Sequence, residues 1–359
     1  MAHEIPCWYM RGGTSKGPFF LARDLPGDRA TRDAVIAAVM GSPDARQIDG
    51  LGGAKTLTSK IGILSIPTDG VADLDFLFGQ VGIADATVDT TPNCGNMLAA
   101  ALPAAIESGL IEGDHGTTTR RVRTVNTGVV AEITIETPFG RPVYDGDARI
   151  DGVPRPAAPV SCGFLDTEGS LTGSLLPTGN VRDTIDGIEM TLIDNGMPVM
   201  VIAAAALGVR GDESPEELDG NAALKARIEA LRLKAALLMN LGDVSNKPVP
   251  KITLVSPPRA GAIGTRTFIP HDVHTSIGVL GAVTVATAAV LPGSVAYDVA
   301  NPGEGDVRTL SIEHPTGEFS VEVGMEGTRV VRAALLRTAR LLMRGTVPVS
   351  LSIWRGPAA

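Results

Sequence analysis

The sequence is poor in aromatic residues, in cysteine and in long apolar runs, and each shortage excludes a class of protein. Aromatic residues make up 4% of the 359 residues, so the core must be built from aliphatic side chains. The three cysteines, Cys7, Cys94 and Cys162, cannot all pair and are not spaced like zinc ligands, which favours a reducing compartment. The longest apolar stretch, residues 279–291, is too short to span a bilayer.

Positive charge is also scarce, since the formal net charge is −9 and the isoelectric point is about 5.1. Nucleic acid is therefore excluded as a general partner, because phosphate backbones need a cationic face. A local basic pocket for a small anion remains compatible with this balance. The N-terminus lacks the basic region and apolar core of a signal peptide, so we expect a cytoplasmic protein with no membrane partner.

The sequence is rich in short apolar runs that are separated by Gly and Pro turns, and these runs predict many short strands. Two helices of small residues are predicted, one over 97–110, which Pro103 should kink or keep short, and one that follows Ser276. A long amphipathic helix is predicted within 214–241. The order of these elements repeats loosely, which indicates two similar halves with a boundary near 180–190.

The segment NCGN at 93–96 is the first candidate for chemistry, because it lies at the start of a predicted helix. The positive end of the helix and its free N–H groups favour a thiolate at Cys94, which could act as a proton acceptor or a nucleophile. The same N–H groups could hold a carboxylate. The ordinary alternative is a small buried thiol, which is how we interpret Cys7 and Cys162.

Lys60 is the second candidate, since it lies between the Gly-rich turn at 50–55 and a predicted strand. With apolar Ile61 and Leu64 beside it, this lysine could give up its proton and act as a base. The alternative is a solvated surface lysine. The segment is not a phosphate-binding P-loop, because the required glycine and lysine spacing is missing.

Two further segments could bind anions. The loop RGGTSKG at 11–17 places two cations, two hydroxyls and three glycines together, which suits a carboxylate, although a glycine turn with exposed charges is the alternative. In TRTFIPHDVHTSIG at 265–278, Ser276 is predicted to cap the second small-residue helix. A metal site at His271 and His274 is disfavoured by their spacing. The turn at 194–198 is equally consistent with a cleft and with an ordinary turn.

Taken together, these motifs resemble the PrpF family, and within it the 4-oxalomesaconate tautomerases and isomerases. The likeness rests on RGGTSKG at 11–17, MGSPDARQIDGLGGAKTLTSK at 40–60, NCGN at 93–96, LPTGN at 176–180, IDNGMP at 193–198, MNLGDVS at 239–245, FIPHDVHTSIGV at 268–279 and EHPTGEF at 313–319.

The resemblance implies an α+β, diaminopimelate-epimerase-like fold. Each of two similar domains is then a curled, mostly antiparallel sheet around a central helix, with the active site in the cleft between the domains. We place the N-terminal domain at 1–185 and the C-terminal domain at 186–345. A last strand at about 346–359, containing VPVSLSIW, is expected to return to the first domain.

The resemblance also implies a proton shift between allylic carbons of an unsaturated di- or tricarboxylate, with no cofactor and no metal. Lys60 and Cys94 match the family's catalytic lysine and cysteine, and which of the two removes the proton stays open. The residues expected to bind substrate are Arg11, Gly12, Gly13, Thr14, Ser15, Ser59, Asn93, Gly95, Asn96, Asn195, Met197, Arg266, His274, Ser276, Ile277 and Gly278.

Several alternatives remain at this stage. The favoured substrate is 4-oxalomesaconate in the catabolism of aromatic acids such as gallate and protocatechuate; 2-methylaconitate, methylitaconate and cis-aconitate are the alternatives. An amino-acid epimerase is less favoured, because Ser276 stands where diaminopimelate epimerases carry their second thiol and serine is a weak acid–base group. A non-catalytic carboxylate-binding protein is disfavoured by the presence of both Lys60 and Cys94. A homodimer is left open.

Overall fold

The computed structural model describes residues 2–164 and 167–356, and the described part of the chain forms two compact units. Unit 1 contains the described residues up to Cys162 and from Arg337 onward, and unit 2 runs from Gly163 to Leu336. The domain boundaries expected from the sequence, after residue 185 and near residue 346, stay a prediction.

The described residues form sixteen strands and six α-helices. The first eleven elements are β1 (Ala2–Gly12), β2 (Ser15–Leu21), α1 (Arg29–Met40), β3 (Lys60–Ser65), β4 (Leu74–Val81), β5 (Val88–Asp89), α2 (Gly95–Leu98), α3 (Ala101–Glu107), β6 (Gly116–Thr124), β7 (Val130–Thr137) and β8 (Pro159–Phe164). The remaining eleven are β9 (Asp183–Ile185), β10 (Ile188–Asp194), β11 (Pro198–Ala203), α4 (Pro215–Asp219), α5 (Ala222–Leu238), β12 (Lys251–Ser256), β13 (Ile263–Phe268), α6 (Val279–Val290), β14 (Val307–His314), β15 (Gly317–Glu326) and β16 (Arg329–Ser350).

Strand pairing follows the same order in the two units. In unit 1 the pairs β1/β2, β3/β4 and β6/β7 are antiparallel, whereas β2/β3 and β4/β6 are parallel. In unit 2 the pairs β10/β11, β12/β13 and β14/β15 are antiparallel, whereas β11/β12 and β13/β14 are parallel. Parallel neighbours need a crossover, and helices occupy the corresponding crossovers in both units. The prediction of an α+β fold with two similar halves is confirmed.

Each unit places a central helix on one face of its sheet and a second helix on the other. In unit 1, α2 and α3 contact strands β1 to β4, β6 and β7, while α1 packs on the opposite face with Ile5, Phe20, Ile61 and Ile63. In unit 2, α6 contacts β10, β11, β14 and β15. Residues 281–290 of α6 are all buried, as expected for a helix that is apolar on every side.

The outer face of the unit 2 sheet is covered by α5. Leu224, Ile228 and Leu231 of this helix form one apolar cluster with alternate residues of β12, among them Ile252 and Leu254. In unit 1, β16 pairs antiparallel with β1 from Ala2 to Gly12. The C-terminal strand predicted at 347–354 is the end of β16 and stops at Ser350.

Two helix predictions are refined by the structure. The helix expected over 97–110 is divided into α2 and α3, and Pro103 lies in the first turn of α3, where its missing N–H costs no helical hydrogen bond. The helix expected within 214–241 is divided at Gly220. None of the helices in residues 2–164 and 167–356 is long and apolar enough to cross a membrane.

The prediction that Ser276 caps the second small-residue helix is wrong. The N-cap residue of α6 is Gly278, which forms no side-chain cap. Ser276 lies two residues earlier, and its hydroxyl lies 3.2 Å from the Nε2 atom of His314. The hydroxyl is therefore engaged with the end of β14 rather than with the first turn of the helix.

Candidate active site

Glycines of the RGGTSKG loop bring the unit 1 motifs together. A Cβ on Gly17 would lie 1.8 Å from the carbonyl oxygen of Lys60, and one on Gly12 would lie 2.2 Å from that of Asn96. Gly13 has a φ of +51° and lies against the side chain of Asn96, whose Nδ2 donates to Thr14 Oγ1 at 2.9 Å. Only glycine permits approaches this close, so the three motifs form one connected group in unit 1.

Lys60 is the first residue of β3, and its side chain is buried, with 7% of the residue exposed. Its Nζ atom donates to Gln80 Oε1 at 2.6 Å and lies 4.9 Å from the centre of the Phe78 ring. No carboxylate pairs with Lys60 among the described residues. The ammonium group is therefore held by a neutral amide and an aromatic face, and its positive charge remains available to an anion.

Gln80 is held in turn by the segment before β3. Its Nε2 donates to the carbonyl oxygens of Ser59 and Thr56 at 2.9 and 3.2 Å, which fixes its Oε1 toward Lys60. Ser59 is fully buried, and its hydroxyl donates to Gln47 Oε1 at 2.7 Å. The structure thus places Ser59 as a support of this segment, and its expected contact with substrate stays a prediction.

Cys94 is the residue that precedes α2, with an extended backbone and a half-buried side chain. It is a free thiol, as are Cys7 and Cys162. Those two are buried, and loss of solvent raises the pKa of both thiols, that of Cys162 to about 12. Of the three thiols, Cys94 alone is accessible for chemistry, which agrees with the interpretation of the other two as core residues.

The first turn of the loop leaves one buried hydroxyl without a partner. Ser15 is 1% exposed, and its Oγ forms no hydrogen bond in the described structure. An unsatisfied buried hydroxyl costs about 1–3 kcal/mol, so this atom is suited to a ligand oxygen. Asn93 is exposed, and its Nδ2 donates to Thr127 Oγ1 at 2.6 Å.

Arg11 connects the RGGTSKG loop to strand β16. Its Nη1 donates to the carbonyl oxygens of Gly13 at 2.8 Å and Thr338 at 3.0 Å. Burial and the nearby Arg340 lower the pKa of Arg11, so its surroundings favour an added negative charge. Two roles are therefore compatible with Arg11: fixing the loop and attracting a carboxylate.

In unit 2, Ser276 joins two histidines at the segment before α6. Its backbone N–H donates to His274 Nδ1 at 2.9 Å, and its hydroxyl meets His314 Nε2. The Nδ1 atom of His314 accepts from the backbone N–H of Thr316 at 3.3 Å, so Nε2 carries the proton and donates to Ser276. The hydroxyl hydrogen of Ser276 can then be donated to a ligand.

His274 is held as a neutral ring. Burial and, to a smaller extent, the charge of Lys251 lower its pKa. Because Nδ1 accepts the Ser276 N–H, the ring proton lies on Nε2. Ile277 is buried and Gly278 is exposed at the start of α6.

Asn195 and Arg266 also lie in unit 2, Asn195 in the turn that packs on α6 and Arg266 beside a cavity that His314 also lines. The amide of Asn195 is used on both sides, since Nδ2 donates to Thr287 and Oδ1 accepts from Thr167. Arg266 lies opposite Leu254 in the β12/β13 pair, on the sheet face that packs against α5. It lines a cavity of about 220 Å³ together with Arg259. Because side chains alternate along a strand, Thr267, the next residue, lies on the opposite face of β13. Met197 is half-buried in the β10–β11 turn.

Gln80 and His314 are not among the site residues predicted from the sequence. Gln80 is a lone amide in the apolar strand FLFGQV, two residues after Phe78 on the same face, and this pattern is the signal that could have identified it. His314 lies in the segment EHPTGEF, which carried the family resemblance. The described residues contain no group of three His, Cys, Asp or Glu side chains that could hold a metal. The expected absence of a metal and of a cofactor stays a prediction.

Comparison with known proteins gives consistent matches along the chain. The family model described as PrpF protein matches residues 2–350. A (4E)-oxalomesaconate Delta-isomerase from Novosphingobium sp. (strain KA1) is 55% identical over 347 residues, which cover 96% of this chain and 97% of that protein. A 4-oxalomesaconate tautomerase from Pseudomonas putida is 51% identical over 355 residues, which cover 99% of this chain and 98% of that protein.

A solved structure with the same fold is that of a methylitaconate-delta-isomerase. It is 35% identical in sequence, has a TM-score of 0.84, and the match covers 100% of this chain and 98% of that chain. The likeness extends over both units, so the arrangement of strands and helices within each of them is that of a known isomerase.

Proposed function

Because the chain belongs to the PrpF protein family, we propose that it is a cofactor-independent tautomerase or allylic isomerase with 4-oxalomesaconate as its substrate. The relatives named isomerases make it an isomerase, and the finer assignment rests on Lys60. This nearly buried ammonium group has Gln80 and Phe78 as neighbours and no carboxylate partner in the described structure. Such a group attracts a polycarboxylate and can exchange a proton with it.

The reaction would proceed by two proton transfers. One of Lys60 and Cys94 removes a proton from the carbon next to the carbonyl or carboxylate group, and the electron pair of the broken C–H bond enters a dienolate. The other residue returns a proton to the far end of the three-carbon unit, so the double bond moves and no net charge is gained or lost. The acidity of the reacting carbon makes this shift feasible without a cofactor.

Unit 1 also offers groups that would hold the carboxylates. The hydroxyl of Ser15 is buried without a partner. Thr14 and Asn96 lie beside the Gly12–Gly13 turn. The N–H groups that follow Cys94 belong to the first turn of α2, where they have no acceptor within the helix. In unit 2, Ser276 can donate its hydroxyl hydrogen. The cytoplasmic location and the homodimer stay predictions.

The test is a proton NMR assay in D2O with 4-oxalomesaconate, run beside cis-aconitate, 2-methylaconitate and methylitaconate. Conversion of 4-oxalomesaconate with deuterium entering an allylic carbon supports the proposal. Turnover of another of these compounds in its place would retain the proton chemistry and change the substrate. No turnover of any of them would contradict the proposal.

Variants distinguish the roles of the two catalytic candidates. Lys60→Met and Cys94→Ser are each expected to lose most activity while the fold is kept. Lys55→Met is the matched control, because Lys55 is exposed five residues earlier and its loss changes the net charge equally. Wild-type turnover in either test variant would contradict the role given to that residue.

A further inference from the structure

The strand that carries Lys60 has a counterpart in unit 2. Strand β3 reads KIGILS and strand β12 reads KITLVS, and each is six residues long. Each pairs in parallel with the strand before it and antiparallel with the strand after it. Lys251 therefore begins β12 at the same place in the topology at which Lys60 begins β3.

The strand pattern places Lys251 on the central-helix face of its sheet. Ile252 and Leu254 belong to the apolar cluster around α5, and side chains alternate along a strand. Lys251 and Thr253 therefore lie on the opposite face. Thr253 Oγ1 lies 3.0 Å from Thr267 Oγ1, which shows that this face continues from β12 to β13.

His274 lies on the same face. Its backbone N–H donates to the carbonyl oxygen of Thr267 at 2.8 Å, and the preceding Val273 belongs to the cluster on the α5 side. The charge of Lys251 contributes to the lowered pKa of His274. Lys251, His274 and Ser276 thus form a group of hydrogen-bond donors close to the start of α6.

Lys251 differs from Lys60 in having no acceptor beside it. Because Ile252 pairs with Phe268, the residue opposite Lys251 is Ile269, which cannot accept the hydrogen bond that Gln80 accepts from Lys60. Lys251 is half-buried, and no hydrogen bond or ion pair of its Nζ atom is present among the described residues. Its three donors are therefore unused by the protein.

The segment that leads into Lys251 is held in place by a buried arginine. Arg232 of α5 is fully buried and donates to the carbonyl oxygens of Val244, Lys247 and Val249, which fixes the segment that leads into β12. Burial and, second, the charge of Arg232 lower the pKa of Lys251. Arg232 is itself paired with both carboxylate oxygens of Glu229, at 2.6 and 2.8 Å, so the uncompensated charge here is that of Lys251.

We propose that Lys251 binds a carboxylate of the substrate, with the Nε2–H group of His274 as a second donor. This inference rests on the proposed function, since it assumes a polycarboxylate substrate. In unit 2, Lys251 then binds a carboxylate from the strand position that Lys60 occupies in unit 1. The expected effect of Lys251 is on binding, so its loss should raise KM and change kcat little.

The test is calorimetric titration with propane-1,2,3-tricarboxylate, a saturated tricarboxylate that has no double bond to move. Lys251→Met is expected to weaken binding about 10- to 100-fold, as for loss of a hydrogen bond to a charged group, and Lys251→Arg should restore most of the affinity. Lys247→Met is the matched control, since Lys247 is exposed four residues earlier. Thermal unfolding checks that each variant is folded, and Lys251→Gln replaces the Met variant if it is not.

The outcomes separate this inference from the proposed function. Equal affinity of wild type and Lys251→Met, or an equal loss in Lys247→Met, would overturn the role of Lys251 while leaving the proposed function intact. A KM that rises in Lys251→Met with little change in kcat supports the inference. A wild-type protein that neither binds the tricarboxylate nor turns over any substrate in the NMR assay would overturn both.

Discussion

Lys60 Nζ donates a 2.6 Å hydrogen bond to Gln80 Oε1, so a nearly buried cation is held by a neutral amide. A carboxylate at this position would neutralise the lysine and hold its proton tightly. The amide fixes the direction of the side chain and leaves its charge uncompensated. This arrangement is suited to a lysine that must bind an anion or exchange a proton.

Replacing Gln80 should change the pH dependence of the reaction. Gln80→Glu places a carboxylate beside Lys60, so we expect slower turnover near neutral pH and an active range displaced to higher pH. Gln80→Met removes the acceptor without adding charge and should lower kcat about tenfold or more. The measurement is a pH–rate profile for each variant, and two profiles like that of the wild type would contradict the role of Gln80.

Gly17→Ala should destabilise unit 1 and lower activity. The new Cβ would lie 1.8 Å from the carbonyl oxygen of Lys60, which forces β2 and β3 apart at a cost of about 1–3 kcal/mol. Gly27→Ala is the matched control, because a Cβ on Gly27 would meet no atom within 4 Å. Urea unfolding measures both variants, and equal stabilities would show that the close approach has no energetic consequence.

Serine variants of Cys7 and Cys94 should have opposite effects on the stability and the activity of the protein. Cys7→Ser buries a hydroxyl in the apolar cluster around α1, so we expect a loss of about 1–3 kcal/mol in unfolding free energy with turnover retained in the folded protein. Cys94→Ser should show the reverse, since Cys94 is half-buried at the start of α2. Thermal unfolding and the NMR assay on the same samples test this; a stable and active Cys94→Ser variant would be the contrary result.

The lowered pKa of His274 should make stability depend on pH. The folded-state pKa lies below the ordinary value of about 6.5, so the unfolded chain binds more protons just below that pH. The wild type should therefore lose stability as the pH falls from about 7.5 to 5. His274→Asn keeps an acceptor for the Ser276 N–H without this titration, and it should lose less.

Denaturant unfolding at several pH values measures this difference. Groups that titrate in both the wild type and His274→Asn contribute equally to the two curves, so their contributions cancel. His115→Asn is the control, because His115 is exposed, and its curve should follow the wild type. Parallel curves for wild type and His274→Asn would contradict the prediction.

Much of the fold could be predicted from the sequence, because its signals are local. The apolar runs at 61–66 and 199–205 predict strands, and they overlap β3 and β11 except at their last one or two residues. The helix over 97–110 and an interruption of it could be predicted, but the interruption lies at residues 99–100, between α2 and α3, and not at Pro103. The cap of α6 was misplaced for a similar reason, since the side chain of Ser276 is engaged by His314, which is 38 residues away.

The loop residues of the candidate site could be predicted from the sequence, whereas the residues that form hydrogen bonds with them could not. Glycine pairs and a thiol at a helix start are features of a few adjacent residues, so Gly12, Gly13 and Cys94 could be found from the sequence. Gln80 and His314 act through contacts with residues far along the chain, so their partners could not be identified from the sequence around them. Lys251 looks like a surface lysine until strand order makes it the counterpart of Lys60.

The sequence by itself determined the strands, the buried central helices, the glycine turns and the residue types available for proton transfer, since these depend on periodicity and composition. Tertiary structure alone decided which side chains meet. Gly17 touches Lys60 because β2 and β3 pair in parallel, and Lys60 is held by Gln80 because β3 and β4 pair antiparallel. Strand register joins residues twenty or more positions apart, and one residue of slip would exchange the two faces of each strand.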